Sequence, residues 1–268
     1  MKADLTAYND IIHQVSVCYK GLKLDKLQKK TKGRKLAIPI DQILAMGLFK
    51  QMYGITTKKS VYDILAPKCS YKTFVVNLNR FAPLAALILS LILHINRMFA
   101  HTIKYTDSTD VPVCLNAHAD GHKTMKFYTS WGGTSTTRFY GLKLHITTDF
   151  NKRLLKIRFA SGRVDERVVF EEMNADMEGI FVVDAGYVSS KLEKRFYRAG
   201  KRIMLAKPRR NMNKLMTRFE QWLYEGRMSI ELSFRSLKMF FGLVTSLPRS
   251  VEGYLANYIY ALLAYCLA

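Results

Sequence analysis

Four polar residues in the C-terminal part of the chain have the spacing of a reactive helix face. Tyr224, Arg227, Glu231 and Lys238 lie in the segment YEGRMSIELSFRSLK. At about 100° per residue they share one stripe of roughly 60° on a single predicted helix. One interpretation is a solvated face with an ordinary Arg227–Glu231 ion pair. The other is a face built around one acidic residue that, with its flanking cations, handles an anionic substrate.

Two aspartates are predicted at the ends of strands, where open sheets concentrate their functional residues. The segment IKYTD ends at Asp107, and IFVVD ends at Asp184. Neighbouring strands would bring these carboxylates together, and a cation would remove the resulting repulsion. Oxygen-only clusters select Mg²⁺ or Mn²⁺. With Glu231 as a third ligand, two such ions could activate a water or a 3′-hydroxyl for phosphodiester displacement.

Other residues compete for these roles. Asp110 in DSTD is an alternative to Asp107, although Asp107 is preferred because it is predicted to close its strand. Either aspartate alone could also be a turn former or a helix cap. Cys114, His118 and His122 have a spacing that could suggest zinc, but the segment offers no obvious fourth ligand. The sequence therefore favours the carboxylate site over a zinc site.

Two further residues have open interpretations. His145 lies in a predicted strand, where a core histidine with satisfied hydrogen bonds, or a histidine that supports the site, is favoured over a catalytic base. Trp131 lies in a predicted Gly/Ser/Thr-rich loop over Tyr128 to Arg138, which could touch DNA or be a plain surface loop.

The charge of the chain narrows the class of partner. It carries 42 Lys and Arg against 21 Asp and Glu, a net charge of +21. Such an excess is usually compensated by a polyanion, first of all nucleic acid. An anionic membrane is the weaker reading, because the longest apolar run, Leu84 to Leu93, is too short to span a bilayer. Four scattered cysteines and a start without a signal peptide predict a reducing cytoplasm.

Residues 1–100 are predicted to be helical. They are interpreted as a DNA-binding domain, with a plain helical cap as the alternative. The basic run Lys23 to Lys35 is either a phosphate contact or a solvated loop. Asp41 is a predicted N-cap, as is Thr56 or Thr57. The predicted helices cover Ile38 to Gly54, Thr56 to Ala66 and Leu84 to Phe99.

Residues 101–268 show a different periodicity, in which strands precede alternating strands and helices. This order predicts an α/β domain with a mixed sheet and helices on its faces. The predicted strands are His101 to Ser108, Phe139 to Asp149, Arg153 to Ala160, Gly179 to Asp184 and Arg202 to Lys207. The predicted helices are Asp165 to Met177, Val188 to Gly200 and the long helix that begins before Tyr224.

The segment that begins at Tyr224 fits the pattern Tyr-x2-Arg-x3-Glu-x6-Lys. The segments DSTDVPVC, FYGLKLHI, SGRVDER and VVDAGYVS accompany it over roughly residues 100–268. In these motifs the chain resembles bacterial insertion-sequence transposases with an RNase H-like DDE domain. The first hundred residues fit that family's helical N-terminal region only loosely.

The resemblance implies Asp107, Asp184 and Glu231 as a catalytic triad that binds two Mg²⁺ or Mn²⁺ ions. It implies excision of an element from its inverted repeats and strand transfer into target DNA by a homodimer on double-stranded DNA. The predicted DNA contacts are Tyr224, Arg227 and Lys238, together with Arg235 and with Arg209 and Arg210 of a basic connector. Only 231 − 184 = 47 positions separate the last two acids. This leaves no room for the β-rich subdomain of some relatives, so a hairpin intermediate is left open.

Overall fold

The computed structural model describes residues 5–27, 36–133, 137–209, 211–244 and 248–268. The chain forms two compact units, one of Met1–Ile92 with Ser236–Ala268 and one of Leu93–Arg235. The predicted boundary at residue 100 differs from the first boundary between these units, which follows Ile92. The second boundary, which follows Arg235, was not predicted. The C-terminal 33 residues, which the sequence pattern predicts to be part of the catalytic domain, group instead with the N-terminal helices.

The first unit is helical in its described residues. Its main helices are α1 (Leu5–Gly21), α2 (Ile40–Met52), α3 (Lys58–Leu65), most of α4 (Tyr71–Met98) and, at the end of the chain, α9 (Val251–Leu267). Helix α9 packs closely on α2, because a Cβ at Gly47 would meet the Tyr260 ring at 2.6 Å. Gln51 of α2 also donates a 2.9 Å hydrogen bond to Asn257 of α9. These contacts explain why the C-terminal helix belongs to this unit.

The helix ends test the capping predictions. Thr57 caps α3 as predicted, since its hydroxyl accepts from the Ser60 amide at 3.0 Å. The prediction for Asp41 is wrong, because Pro39 occupies the N-cap position of α2. Asp41 lies in the first turn and accepts a hydrogen bond from Ser16 at 2.5 Å. Helix α4 begins at Tyr71 and is therefore much longer than predicted.

Helix α4 is long and apolar enough to cross a membrane, and among the described residues it is the one helix that meets both conditions. This is a weak indication, since the core helix of a folded helical unit passes the same test. Part of α4 is buried within the first unit, including Phe74, Phe81 and Ile88. The expectation of no membrane partner stays a prediction.

The second unit is built on a mixed six-stranded sheet. Its strands are β1 (Ile103–Pro112), β2 (Ser130–Gly133), β3 (Arg138–Asp149), β4 (Leu154–Ser161), β5 (Gly179–Val183) and β6 (Arg202–Ala206). The order is β2-β3-β1-β5-β6, and β4 also pairs with β3. Strands β1, β5 and β6 are parallel, whereas β3 is antiparallel to β1, β2 and β4. The predicted α/β mixed sheet is confirmed, although part of the predicted loop around Trp131 forms β2.

Helices flank this sheet and supply its core. Helices α5 (Glu166–Met173) and α6 (Ser190–Phe196) bury Phe170 and Phe196 against Phe181 of β5. Phe181 and Phe196 meet edge to face at 5.1 Å between ring centroids. Two more helices follow β6, namely α7 (Arg218–Glu225) and α8 (Met228–Met239). This core packs around β5, the strand that leads to Asp184.

Candidate active site

The two aspartates lie at the same end of neighbouring parallel strands. Asp107 does not close its strand as predicted, because β3 is long enough to pair with β1 as far as Pro112. The pairing of β1 with β5, however, covers only residues Ile103 to Tyr105 on β1. Asp107 therefore lies just beyond the point where β1 and β5 separate, and Asp184 directly follows β5. This is where open α/β sheets place their ligands.

The sheet also separates Asp107 from its competitor. The pairing of β1 with β3 is continuous from Lys104 to Pro112. Side chains alternate along a regular strand, so residues three apart point to opposite faces. Asp110 therefore faces away from the side on which Asp107 lies. The structure favours Asp107 as the member of the site.

The predicted single helix over Tyr224 to Lys238 is wrong. Helix α7 ends at Glu225 and α8 begins at Met228. The amide of Arg227, between the two helices, and that of Ile230, in the first turn of α8, donate to carbonyls three residues back instead of four, at 3.0 and 3.1 Å. A Cβ at Gly226 would collide with the Tyr105 hydroxyl, so only glycine lets the chain pass this close to β1. The break brings Arg227 to the aspartates.

Arg227 connects two of the three carboxylates. Its Nη2 donates to Asp107 Oδ2 at 2.5 Å, and its Nη1 donates to Glu231 Oε1 at 2.8 Å. The Arg227–Asp107 pair is well shielded, with side chains 11% and 14% exposed, whereas the Glu231 side chain is 50% exposed. One guanidinium therefore supplies the cation that the two acids need.

The third carboxylate, that of Asp184, is hydrogen-bonded to Tyr224. The tyrosine hydroxyl donates to Asp184 Oδ1 at 3.0 Å. Lys207, which directly follows β6, places its ammonium 4.9 Å from the centroid of the Tyr224 ring. Lys207, Tyr224, Arg227 and Glu231 line one open cavity of about 480 Å³. The site thus joins acids from β1, β5 and α8 through two side chains of the predicted signature.

Electrostatics make this site receptive to cations. Burial raises the pKa of Asp107 to about 6; Arg227 opposes this rise, while the charge of Asp184 adds to it. Burial tends to lower the pKa of Arg227, but Asp107 and Asp184 outweigh burial, and its pKa is raised. The acids therefore hold the guanidinium charged, and Asp107 lacks the full stabilisation that an ionised carboxylate requires.

The donor set suits a hard divalent cation. Asp107, Asp184 and Glu231 offer only carboxylate oxygens, which Mg²⁺ and Mn²⁺ prefer. Asp107 and Asp184 raise the pKa of the same guanidinium, so both carboxylates act on one cationic position. The three acids are not gathered into a metal cluster, and the described residues contain no such group. The carboxylate oxygens of these residues suit a divalent cation, and in this structure the guanidinium of Arg227 supplies the positive charge beside them.

The other predicted DNA contacts are distributed around this site. Arg209 is exposed, and its Nε donates to the carbonyl of Ala185, the residue after Asp184, at 3.2 Å. Arg235 is exposed and follows Glu231 by four residues, on the same face of α8. Lys238 falls in the first unit, so its role stays a prediction. Arg210 lies outside the described residues.

Sequence reasoning missed Lys207 as a site residue. Its position was visible, because it ends the segment RIMLAK, the strand predicted after the one that carries Asp184. It also missed the Lys143–Glu166 ion pair of 2.5 Å beside a second open cavity, of about 650 Å³. The charge of Glu166 is one cause of the raised pKa of Asp107, so this pair lies within electrostatic reach of the site.

The remaining alternatives are resolved by their surroundings. His122 accepts a hydrogen bond from the Met125 amide at 3.2 Å, and no zinc-type cluster forms within the part of the chain that is described. His145 is 1% exposed, and its burial lowers its pKa to about 4. It is a neutral core residue as favoured, but neither ring nitrogen has a hydrogen-bond partner among the described residues.

Comparison with known proteins identifies the family. Residues 98–250, which include all three acids and more than half of the chain, match the family described as the transposase DDE domain. No curated protein matches the chain. Among solved structures, the chain is similar in fold to the piggyBac transposase in its synaptic complex with hairpin DNA. The TM-score is 0.56 at 10% identity, over 99% of this chain and 71% of that one. The chain therefore belongs to the DDE transposase family.

Proposed function

We propose that this protein is a transposase of a bacterial insertion sequence, which cuts DNA at the ends of its element and joins those ends to target DNA. The observation that carries the proposal is the convergence of Asp107, Asp184 and Glu231 on the Arg227–Tyr224 pair. The net charge of +21 supports a DNA partner. We further propose that the protein acts in the cytoplasm, as a homodimer on double-stranded DNA.

Asp107, Asp184 and Glu231 would hold two divalent ions, Mg²⁺ or Mn²⁺. When bound, such ions lower the pKa of an attacking water or 3′-hydroxyl and neutralise charge on the leaving oxygen. Asp107 and Asp184 come from strands fixed in the sheet, whereas Glu231 comes from a helix end that follows the break at Gly226. The two aspartates would therefore form the fixed part of the site.

The cationic side chains would position the DNA. Lys207, Arg209 and Arg235 are exposed around the carboxylates and would contact phosphates without reading sequence. Lys238 is the fourth cation of this proposed set. Tyr224 orients Asp184 through its hydroxyl, and its ring packs beneath Lys207. Arg227 would hold the carboxylates of Asp107 and Glu231 in position until the site is loaded.

A cleavage and joining assay on the terminal DNA of the element tests this proposal. The wild type in Mg²⁺ would be compared with the wild type in EDTA and with Glu231→Gln. The matched control is Glu172→Gln, which removes an exposed carboxylate that is paired with Arg158. We expect cutting and joining that need metal, and a loss of at least about 100-fold in Glu231→Gln with DNA binding retained.

The other outcomes distinguish the competing functions. Cutting without joining would show a nuclease on the same fold. Binding without cutting, unchanged by Glu231→Gln, would show a DNA-binding protein in which the three acids have no catalytic role.

A further inference from the structure

The first unit contains a cavity of about 710 Å³ that is lined by cations and hydroxyls. Its walls come from the start of α3, from α4 and from the segment that leads into α9. Lys58 and Arg249 supply positive charge, and Tyr71, Asn79 and Ser250 supply neutral polar groups. The described residues that line it include no Asp or Glu, so its charge is of one sign.

Lys58 supplies one of the cations of this cavity, and among the described residues it has no carboxylate partner. Its ammonium donates to the amide oxygen of Asn79 at 2.7 Å, and no described carboxylate pairs with it. Its neighbour Lys59 behaves differently, since it is paired with Asp63 at 2.6 Å and lies outside the cavity. Burial lowers the pKa of Lys58 to about 8. Half-burying an ammonium group without a carboxylate partner costs free energy unless an anion binds to it.

Lys50 strengthens this electrostatic imbalance. It is 4% exposed, and its ammonium donates to the side-chain oxygen of Gln51 at 3.1 Å. Its pKa is lowered to about 8, first by burial and then by the charge of Lys58. Two cations therefore repel each other in this region, with neutral amides as their hydrogen-bond acceptors.

The two helices that begin at the cavity add to its positive potential. Thr57 caps α3, and Ser250 caps α9 through a 3.1 Å hydrogen bond from the Gly253 amide. The N-terminal ends of helices carry partial positive charge. The helix ends contribute less than the side chains do. The positive charge of the cavity comes mainly from Lys58 and Arg249.

We propose that this cavity binds a phosphodiester group of the DNA backbone between Lys58 and Arg249. A phosphate supplies the missing negative charge and accepts hydrogen bonds from both cations. The volume of the cavity, about 710 Å³, exceeds that of one phosphate group. The choice of DNA as the polyanion rests on the proposed function. Such a contact would position the DNA without reading its sequence, in a different unit from the three acids.

Two neighbouring lysines allow a charge-matched test. DNA binding would be measured by fluorescence anisotropy over a series of NaCl concentrations, on a duplex that lacks the element ends. The variants are Lys58→Gln, Arg249→Gln and the control Lys59→Gln, which removes the same charge outside the cavity. The loss of one phosphate contact makes the negative slope of log K against log salt less steep by about 0.9. We expect that change for Lys58→Gln and Arg249→Gln, and none for Lys59→Gln.

Thermal unfolding and amine labelling guard against a folding artefact. Lys58→Met, which keeps an unbranched stem in the half-buried position, should retain the melting temperature and show the same slope as Lys58→Gln. In the wild type, DNA should protect Lys58 but not Lys59 from acetylation, whereas inorganic phosphate at equal ionic strength should protect neither strongly. Protection by inorganic phosphate and not by DNA would overturn the DNA assignment.

The outcomes also separate this proposal from the proposed function. Equal slopes for Lys58→Gln and Lys59→Gln would overturn the cavity alone, because they would show that only net charge matters. A wild type that binds no DNA at all would overturn the proposed function together with it.

Discussion

Arg227 and Asp107 lie 120 positions apart in the chain, yet the guanidinium donates to the carboxylate at 2.5 Å on the inside of the second unit. The same guanidinium reaches Glu231. Two acids from different elements are thus held by one positive charge.

Removing the guanidinium should destabilise the protein and should increase the stabilisation that Mg²⁺ provides. Arg227→Gln leaves Asp107 without its partner in a shielded position, so we expect a loss of about 3 kcal/mol in the free energy of unfolding. Mg²⁺ should then restore more stability to this variant than it adds to the wild type, since it need not replace a guanidinium. Urea unfolding with and without Mg²⁺ measures both effects.

Arg158→Gln serves as the control for that experiment. It breaks an exposed ion pair with Glu172 and should cost less than about 1 kcal/mol. If Arg227→Gln proves as stable as this control, the guanidinium does not hold the acids together.

Metal affinity should depend on pH through Asp107. Its pKa is raised to about 6, so the proton competes with metal below that pH. We expect Mn²⁺ to bind roughly 10-fold more weakly at pH 5 than at pH 7, which EPR titration would measure. Asp107→Asn should bind weakly at both pH values. A wild type whose affinity is constant over this range would show that Asp107 is not a ligand.

The break at Gly226 should be intolerant of a side chain. Gly226→Ala would push a methyl group into the Tyr105 hydroxyl, and overpacking of this kind costs about 1–3 kcal/mol. Because that hydroxyl has no hydrogen-bond partner among the described residues, Tyr105→Phe should be nearly neutral and should partly rescue Gly226→Ala. A double-mutant cycle in urea unfolding gives the coupling, and strict additivity would contradict the close contact.

His145 should make the fold sensitive to acid. Its pKa is lowered to about 4 in the fold from an ordinary 6.5, so the unfolded chain binds a proton over this interval and the folded chain does not. Stability from this group is present above pH 6.5 and is lost as the pH falls towards 4, by up to about 3 kcal/mol. His145→Leu should remove that dependence in unfolding curves from pH 7 to pH 4.5. Parallel pH profiles for the two proteins would contradict it.

The sequence predicted the sheet well because alternation and apolar runs depend on local spacing. Strands β3, β4, β5 and β6 lie close to their predicted bounds. It failed where a distant partner decides the outcome. Strand β1 continues past Asp107 because β3 pairs with it, and the helix after Tyr224 breaks because Gly226 must pass Tyr105.

The composition of the site could be predicted, but its connections could not. The spacing of Tyr224, Arg227 and Glu231 identified the residues that meet the aspartates. It did not show that Arg227 bridges Asp107 and Glu231, or that Lys207 lies over Tyr224. Those contacts depend on which strands neighbour each other and on where they separate.

Single-turnover nicking of the element ends in Mg²⁺, measured for four carboxylate variants, would decide which acids carry the reaction. Asp107→Asn, Asp184→Asn and Glu231→Gln should each abolish nicking while DNA binding is retained. Asp110→Asn, on the opposite face of β1, should nick at a rate close to that of the wild type. Loss of nicking in Asp110→Asn with activity kept in Asp107→Asn would contradict the assigned site.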